Sequence, residues 1–175
     1  AVAYGLVKLA LTGETEKVLR LVGPGETFGE AVLFLDKPVP VDAVALADTL
    51  LVVVPAAPLL ALLDADRQFA RGMLASLSQR MHELVMDFEA TTQHGARERV
   101  AAYLDSLAPP GAANAAVQLP ASKTVIAARL GVTKETLSRL LRQLTDEGLI
   151  SMTKRDLTLR DRERLAAAAH GARPA

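Results

Sequence analysis

The feature that most constrains the fold is a glycine, Gly131, which lies between two short stretches of helical periodicity. Residues 123–130 follow Ser122 and residues 134–146 follow Thr133, so each predicted helix has a hydroxyl residue in its N-cap position. Gly131 can adopt the left-handed conformation that ends the first helix and turns the chain toward the second. The sequence therefore predicts two helices joined by a tight turn, a helix-turn-helix.

The spacing of the apolar residues supports this motif. The residues placed to form a core shared by the two helices are Ile126, Ala127, Leu130, Val132, Leu137 and Leu140. A merely solvated helix could carry similar polar residues on its outer face, but it would not also need the glycine turn and the packed core. We therefore expect the outer face of the second helix to bind double-stranded DNA. Its candidate contacts are Thr133, Lys134, Glu135, Thr136, Ser138, Arg139 and Arg142.

The predicted DNA contacts divide into base readers and phosphate binders. Arg139 can donate two hydrogen bonds to guanine, Glu135 can accept one from cytosine, and Ser138 suits either role. The cations at the edges of the motif are better suited to phosphates. These are Lys134, Arg142, and Lys154 and Arg155 at the tip of a two-stranded β wing predicted over residues 149–159.

Charge is distributed unevenly along a chain whose net charge is zero. Residues 1–96 hold 7 Lys and Arg against 12 Asp and Glu, whereas residues 97–175 hold 13 against 8. The two parts therefore carry net charges of −5 and +5. A basic C-terminal part favours a polyanionic partner, in agreement with the position of the predicted motif.

A long helix is predicted from an N-cap at Asp64 or Asp66 to Gly95. A stripe with alternating spacings of three and four residues, typical of a coiled-coil seam, runs through Leu74, Leu77, Met81, Leu84 and Phe88. We expect this stripe to pair two subunits in a homodimer. Packing against the chain's own β unit is the alternative, and a second stripe through Phe69, Met73 and Leu77 suits that contact.

The N-terminal region reads as short strands separated by turns, the first predicted at residues 12–15. About 55 residues are few for such a unit, so we expect the chain to begin inside a longer one. The expected fold class is α+β, with a β-roll at residues 1–65, the long helix at 66–94 and a winged helix-turn-helix at 95–170.

Composition excludes several classes of protein. The chain has no cysteine, which rules out disulfides, thiolate-held metals and cysteine nucleophiles in these residues. The uncharged stretch at residues 49–63 is interrupted by two prolines and is shorter than the roughly 20 residues of a membrane-spanning helix. The first residues also lack the basic region of a signal peptide. No membrane association is expected, and the cytoplasm is the expected compartment.

In its order of elements the chain resembles the Crp/Fnr family of bacterial transcription regulators. Residues 4–8 and 23–30 resemble the second half of that family's effector roll, a cyclic-nucleotide-binding-type β-roll or double-stranded β-helix. Residues 135–139, Glu-Thr-Leu-Ser-Arg, match the E-x-x-S-R recognition helix of the Fnr and Dnr branches. The resemblance implies an inverted repeat of TTGAT-like half-sites and contact with RNA polymerase, with Gly29 and Glu30 in the effector site.

The effector is predicted by comparing this chain with the branches of that family. The cyclic-nucleotide branch holds the phosphate with an Arg-Ser pair, whereas residues 37–47 contain neither residue and include Asp42. Cyclic AMP is therefore not expected. An iron–sulfur cluster is not expected either, because cysteines are lacking. The Dnr-like branch implies haem as a sensor of nitric oxide, with His82 as the candidate ligand.

The sequence also bears on two other functional classes. An enzyme is not expected, because the glycines at 23, 25 and 29 do not fit a dinucleotide-binding loop. The three histidines, at 82, 94 and 170, have no metal-binding or catalytic spacing, so no metal site is predicted. A regulatory module that binds a small ligand and signals to a protein partner is the alternative, and the helix-turn-helix argues against it.

Overall fold

The computed structural model describes residues 1–11, 13, 16–35, 37–38, 41–112 and 114–171, with the side chain of Ala90 outside the description. The chain divides into two compact units between Asp87 and Phe88. Both units contain helices and strands, which confirms the predicted α+β class. In the described ranges no helix has both the length and the apolar character needed to cross a membrane.

The first unit is a small β-roll followed by helices. Its described elements before the long helix are β1 (Val2–Tyr4), β2 (Val7–Leu11), β3 (Lys17–Val22), α1 (Glu30–Leu35), β4 (Asp42–Ala45), β5 (Leu50–Leu51) and α2 (Ala56–Ala65). Strand β2 lies between β3 and β4 in an antiparallel sheet, and β1 pairs with β5. Val2, Val7 and Val22 form a buried cluster, against which Leu9 and Phe28 pack. Apolar residues from three strands therefore form the core of the roll.

Two helices of this unit were not predicted. Residues 30–35 form α1, and α2 precedes the long helix where no helix was expected. Pro58 lies in the first turn of α2, where the backbone N–H groups have no partner within the helix, so this proline does not break it. Of the predicted turn at residues 12–15, only Gly13 lies within the described residues.

The long helix, α3 (Arg67–Gln93), is present as predicted. Asp66 caps its N-terminus, since the Asp66 carboxylate accepts hydrogen bonds from the backbone N–H groups of Gln68 and Phe69 at 2.8 and 3.1 Å. Its two apolar stripes differ in exposure. Phe69, Met73 and Leu77 are half-buried, whereas four residues of the predicted seam are 55–72% exposed, namely Leu74, Met81, Leu84 and Phe88.

The second unit contains the predicted helix-turn-helix and a larger sheet than expected. Its described elements after α3 are α4 (Ala96–Ser106), β6 (Ala116–Gln118), α5 (Lys123–Leu130), α6 (Lys134–Asp146), β7 (Ile150–Thr153), β8 (Asp156–Leu159) and α7 (Arg162–Ala169). The two predicted wing strands are present as β7 and β8, and β8 also pairs with β6, so the sheet has a third strand that the prediction of a two-stranded wing lacked. Helix α7, also not predicted, packs against α4. The core includes the fully buried Leu104, Ile126, Leu137, Leu144 and Leu165.

Candidate nucleic-acid interface

Local caps fix the two helices of the motif. The Ser122 hydroxyl accepts a hydrogen bond from the Val125 backbone N–H at 3.4 Å, and the Thr133 hydroxyl accepts one from that of Thr136 at 3.1 Å. Gly131 follows α5 in the left-handed conformation, with φ of 64°. All three features were predicted from the sequence. They determine where α5 begins and ends and where α6 begins, and so they fix the direction of α6 relative to α5.

Helix α6 has one buried face and one exposed face. Its buried face consists of Leu137, Leu140, Leu141 and Leu144. The predicted contacts Lys134, Glu135, Arg139 and Arg142 are exposed, whereas Thr136 and Ser138 are half-buried. Ser138 and Arg139 lie three and four positions after Glu135, so all three residues lie along one side of the helix.

The charges on this face differ in how they are paired. The Arg142 guanidinium is 3.9 Å from the Asp146 carboxylate, in an exposed pair on the same helix. Glu135 and Arg139 have no ion-pair partner within the described part of the chain. The Arg139 guanidinium can therefore donate a pair of hydrogen bonds to an external acceptor without first breaking a salt bridge.

The wing tip holds two cations in different environments. Arg155 donates two hydrogen bonds through Nε and Nη2 to the Leu119 carbonyl, at 3.0 and 2.7 Å, and its own carbonyl accepts one from the Leu119 N–H. Lys154 is exposed and has a φ of 56°. Its ammonium has no partner among the residues that the structure describes. Arg155 thus joins the wing to the end of β6, whereas the Lys154 ammonium is available to bind an external anion.

Arginines at the start of α4 anchor the helix-turn-helix. The Arg97 guanidinium donates two hydrogen bonds to the Glu147 carboxylate, at 2.8 and 2.7 Å, and the Arg99 side chain donates to the carbonyls of Leu130 and His94. Neither arginine was predicted to have a role. Two cations in the first turn of a helix oppose its dipole, and this unfavourable placement is the sequence signal that could have identified them.

The first unit brings together one predicted pair of effector-site residues. Gly29 has a φ of 88° and leads into α1, which begins at Glu30. The Glu30 carboxylate is 2.6 Å from the Arg80 guanidinium, which also donates to the Thr27 hydroxyl at 2.6 Å. His82, also predicted for this site, is exposed on α3. The charged group that α3 supplies to the Gly29–Glu30 turn is therefore Arg80.

This pairing sets the ionisation of Glu30. Burial of the side chain raises the pKa, but hydrogen bonds from Arg80, Thr27 and the backbone, with the attraction of Arg80, outweigh it. The net effect is a pKa below the ordinary value of 4.5. Glu30 is therefore ionised at neutral pH, and its charge is compensated within the first unit.

Comparison with known proteins agrees with this architecture. Residues 1–66 match the cyclic nucleotide-binding domain family, and residues 98–168 match the Crp-like helix-turn-helix domain family. Over 172 residues the chain is 33% identical to the cyclic AMP receptor protein of Thermus thermophilus, in an alignment that covers 97% of this chain and 78% of that protein.

Solved structures resemble the chain over nearly its whole length. FixK2 from Bradyrhizobium japonicum superposes with a TM-score of 0.81 at 27% identity, covering 99% of this chain and 86% of that one. A transcriptional regulator of the CRP/FNR family from Thermus thermophilus superposes with a TM-score of 0.74 at 28% identity, covering 97% and 86%.

The β-roll followed by a helix-turn-helix defines a DNA-binding transcription regulator with a nucleotide-binding-type domain. The chain belongs to the Crp/Fnr family.

Proposed function

We propose that this regulator is a homodimer that binds an inverted repeat of TTGAT-like half-sites and acts on transcription through RNA polymerase. The observation that carries the proposal is the exposed face of α6, where Glu135 and Arg139 are unpaired within the described residues. A carboxylate and a guanidinium on one side of a recognition helix suit a C·G step, because each can bond a different base edge. Lys134, Arg142 and Lys154 supply the phosphate contacts in this proposal.

The dimer is supported by the outer stripe of α3. Leu74, Met81, Leu84 and Phe88 are 64%, 66%, 55% and 72% exposed, and their spacing puts them along one side of the helix. A contiguous apolar stripe of this kind is costly to leave in water and is removed by pairing with a second copy. Two-fold pairing also explains why the target is expected to be an inverted repeat.

Gel-shift titration tests the proposal directly. The full chain is titrated against a duplex with an inverted TTGAT repeat, a duplex with the same composition in scrambled order, and a duplex with a single half-site. We expect the tightest binding to the repeat. Equal affinity for the repeat and the scrambled duplex at moderate salt would instead favour the alternative, a ligand-binding module that signals to protein partners.

The β-roll is proposed to control DNA binding by holding an effector. An effector shifts the conformational equilibrium only if it binds one arrangement of the protein more tightly than the other. We propose that cyclic AMP is not this effector. Residues 37–47 contain no arginine, and Asp42 would repel a phosphate. Calorimetric titration with cyclic AMP is expected to give no submicromolar binding, and such binding would overturn this part of the proposal.

Haem is the effector we propose to test first. His82 is exposed on α3, and Val85 and Met86, three and four positions further on, are 58% and 48% exposed. An accessible imidazole beside apolar side chains has the chemistry of a haem ligand. Haem added to the purified chain should give a Soret band that shifts with nitric oxide, and His82→Ala should abolish the shift. A spectrum unchanged by the substitution would exclude His82 as the ligand.

A further inference from the structure

Three consecutive residues at the start of α4, Arg97, Glu98 and Arg99, contact neighbouring parts of the second unit. Glu98 accepts a hydrogen bond from the Gly95 backbone N–H at 2.9 Å, which fixes the start of the helix. Arg97 is paired with Glu147, the C-cap residue of α6. The Arg99 side chain donates hydrogen bonds to the carbonyl of His94, which follows α3, and to that of Leu130 at the end of α5. The segment 97–99 therefore connects the end of the long helix to both helices of the helix-turn-helix.

Arg99 is the member of this segment that bridges two elements with one side chain. Its Nη1 donates to the His94 carbonyl at 2.6 Å, and its Nε donates to the Leu130 carbonyl at 3.0 Å. Leu130 is the last residue of α5, so its carbonyl has no partner within the helix and needs an external donor. The planar guanidinium fixes the angle between these bonds, because its N–H groups point in set directions.

We propose that Arg99 is a positioning residue that holds the last turn of α3 at a fixed direction to α5 and α6, and so sets the spacing between half-sites that the dimer accepts. This inference rests on the proposed dimer and its inverted repeat. One additional base pair moves a half-site by about 3.4 Å and rotates it by about 35° around the DNA axis. A dimer rejects that displacement only if the connection between its paired helices and its recognition helices is stiff.

The test measures spacing preference as well as affinity. Half-sites of fixed sequence are separated by the best spacer and by spacers one and two base pairs longer or shorter, and the dissociation constants are measured for the wild-type chain, Arg99→Lys and Arg99→Gln. We expect the ratio between the best and the next-best spacer to fall by about tenfold in both variants, the change that corresponds to losing one charge-assisted hydrogen bond. Affinity for a single half-site should change much less.

Arg162→Lys is the matched control. Arg162 also binds backbone carbonyls, those of Pro109 and Ala112, and pairs with Asp105 in the same unit, but it contacts neither His94 nor Leu130. The control should lose stability and keep the spacer ratio. Two dissociation constants from one preparation are affected equally by an unfolded fraction, so their ratio reports geometry even in a destabilised variant.

The outcomes separate the two proposals. A wild-type ratio that falls in both Arg99 variants and survives in Arg162→Lys supports the positioning role. An unchanged ratio in the Arg99 variants, or an equal fall in the control, overturns it while the proposed function stands. A wild-type chain that binds no inverted repeat, whatever the spacer, overturns the proposed function itself.

Discussion

Arg97 and Glu147, which lie 50 positions apart, form a two-point ion pair with N–O distances of 2.8 and 2.7 Å. Each lies at the unfavourable end of its own helix dipole: Arg97 is in the first turn of α4, and Glu147 is the C-cap residue of α6. Their contact compensates both charges at once. The pair therefore holds the end of the recognition helix against α4 and removes two placements that would otherwise destabilise the unit.

The charged residues on α6 and on the wing should have different effects on base preference. Replacing Arg139 by Ala should cost about 1–3 kcal/mol per half-site and relax the preference at guanine, because a paired donor that only guanine satisfies is lost. A selection from DNA randomised over the half-site measures this change. Uniform weakening with the guanine preference intact would show that Arg139 contacts phosphate.

Lys154→Ala provides the contrasting case. Its ammonium is exposed and unpaired within the described residues, which suits a phosphate contact that carries no base information. Binding to all sequences should weaken alike, and the slope of log affinity against log salt should decrease in magnitude by about one unit for each subunit bound. A change in the preferred base would place Lys154 in a groove instead.

Met81→Glu should convert the dimer to monomers. Met81 is 66% exposed in the single chain, so the substitution should leave the subunit fold intact, but a dimer would bury one carboxylate from each subunit without a partner. Sedimentation velocity at micromolar concentration measures the effect. Ala75→Glu is the control, since residue 75 is exposed and lies about 120° around the helix from Met81. A dimeric Met81→Glu variant, or a monomeric wild-type chain, would show that the seam is misassigned.

Glu30→Gln should destabilise the protein in a pH-dependent way. The Glu30 and Arg80 side chains are only 13% and 19% exposed, so loss of the carboxylate leaves a poorly hydrated guanidinium and should cost about 1–3 kcal/mol near neutral pH. Since the pKa of Glu30 is lowered from 4.5, its stabilising charge is present above that pH and is lost as the pH falls through the lower folded value. Urea unfolding should show the wild type and the variant converging in acid.

Glu83→Gln is the control for that experiment, because Glu83 is exposed on the same long helix and accepts a bond only from Gln79 among the described residues. Its unfolding free energy should follow the wild-type pH profile. A constant difference between Glu30→Gln and the wild type across the acid range would mean that the Glu30 charge does not stabilise the fold.

Gly5→Ala should destabilise the β-roll. Gly5 has a φ of 94°, and an added Cβ would overlap the Thr49 hydroxyl and lie 2.7 Å from Thr49 Cα. Thr49 cannot easily move, since its hydroxyl accepts from the Leu6 N–H and donates to the Ala47 carbonyl. We expect a loss of about 2–4 kcal/mol in unfolding free energy. Gly72→Ala, in an open position on α3, should instead gain about 0.5–1 kcal/mol, and equal effects would contradict the steric explanation.

Local signals explain which elements were predictable. The bounds of α5 and α6 follow from Ser122, Gly131 and Thr133, each of which acts on backbone groups within three or four residues. The Asp66 cap of α3 was predictable for the same reason. Sequence patterns of this range determine helix ends because the interactions that set those ends are equally short-ranged.

Long-range partners explain what was missed. The third strand of the C-terminal sheet depends on pairing between residues 116–118 and 156–158, which no local pattern records. Arg97 and Arg99 find partners 50 and 31 positions away. In the effector region the Gly29–Glu30 turn was visible, but the choice of Arg80 rather than His82 as its charged neighbour depends on how α3 packs within the first unit.

At the wing tip the same residue lowers the stability of the fold and supplies a charge for the proposed DNA contact. Lys154 is held at a φ of 56°, a conformation that costs a residue with a side chain about 1–2 kcal/mol relative to glycine. Glycine at this position would relax the turn and remove the only cation there that is unpaired within the described residues. A screen for thermostable variants would therefore enrich Lys154→Gly, and the proteins it selected would melt later and bind DNA less well.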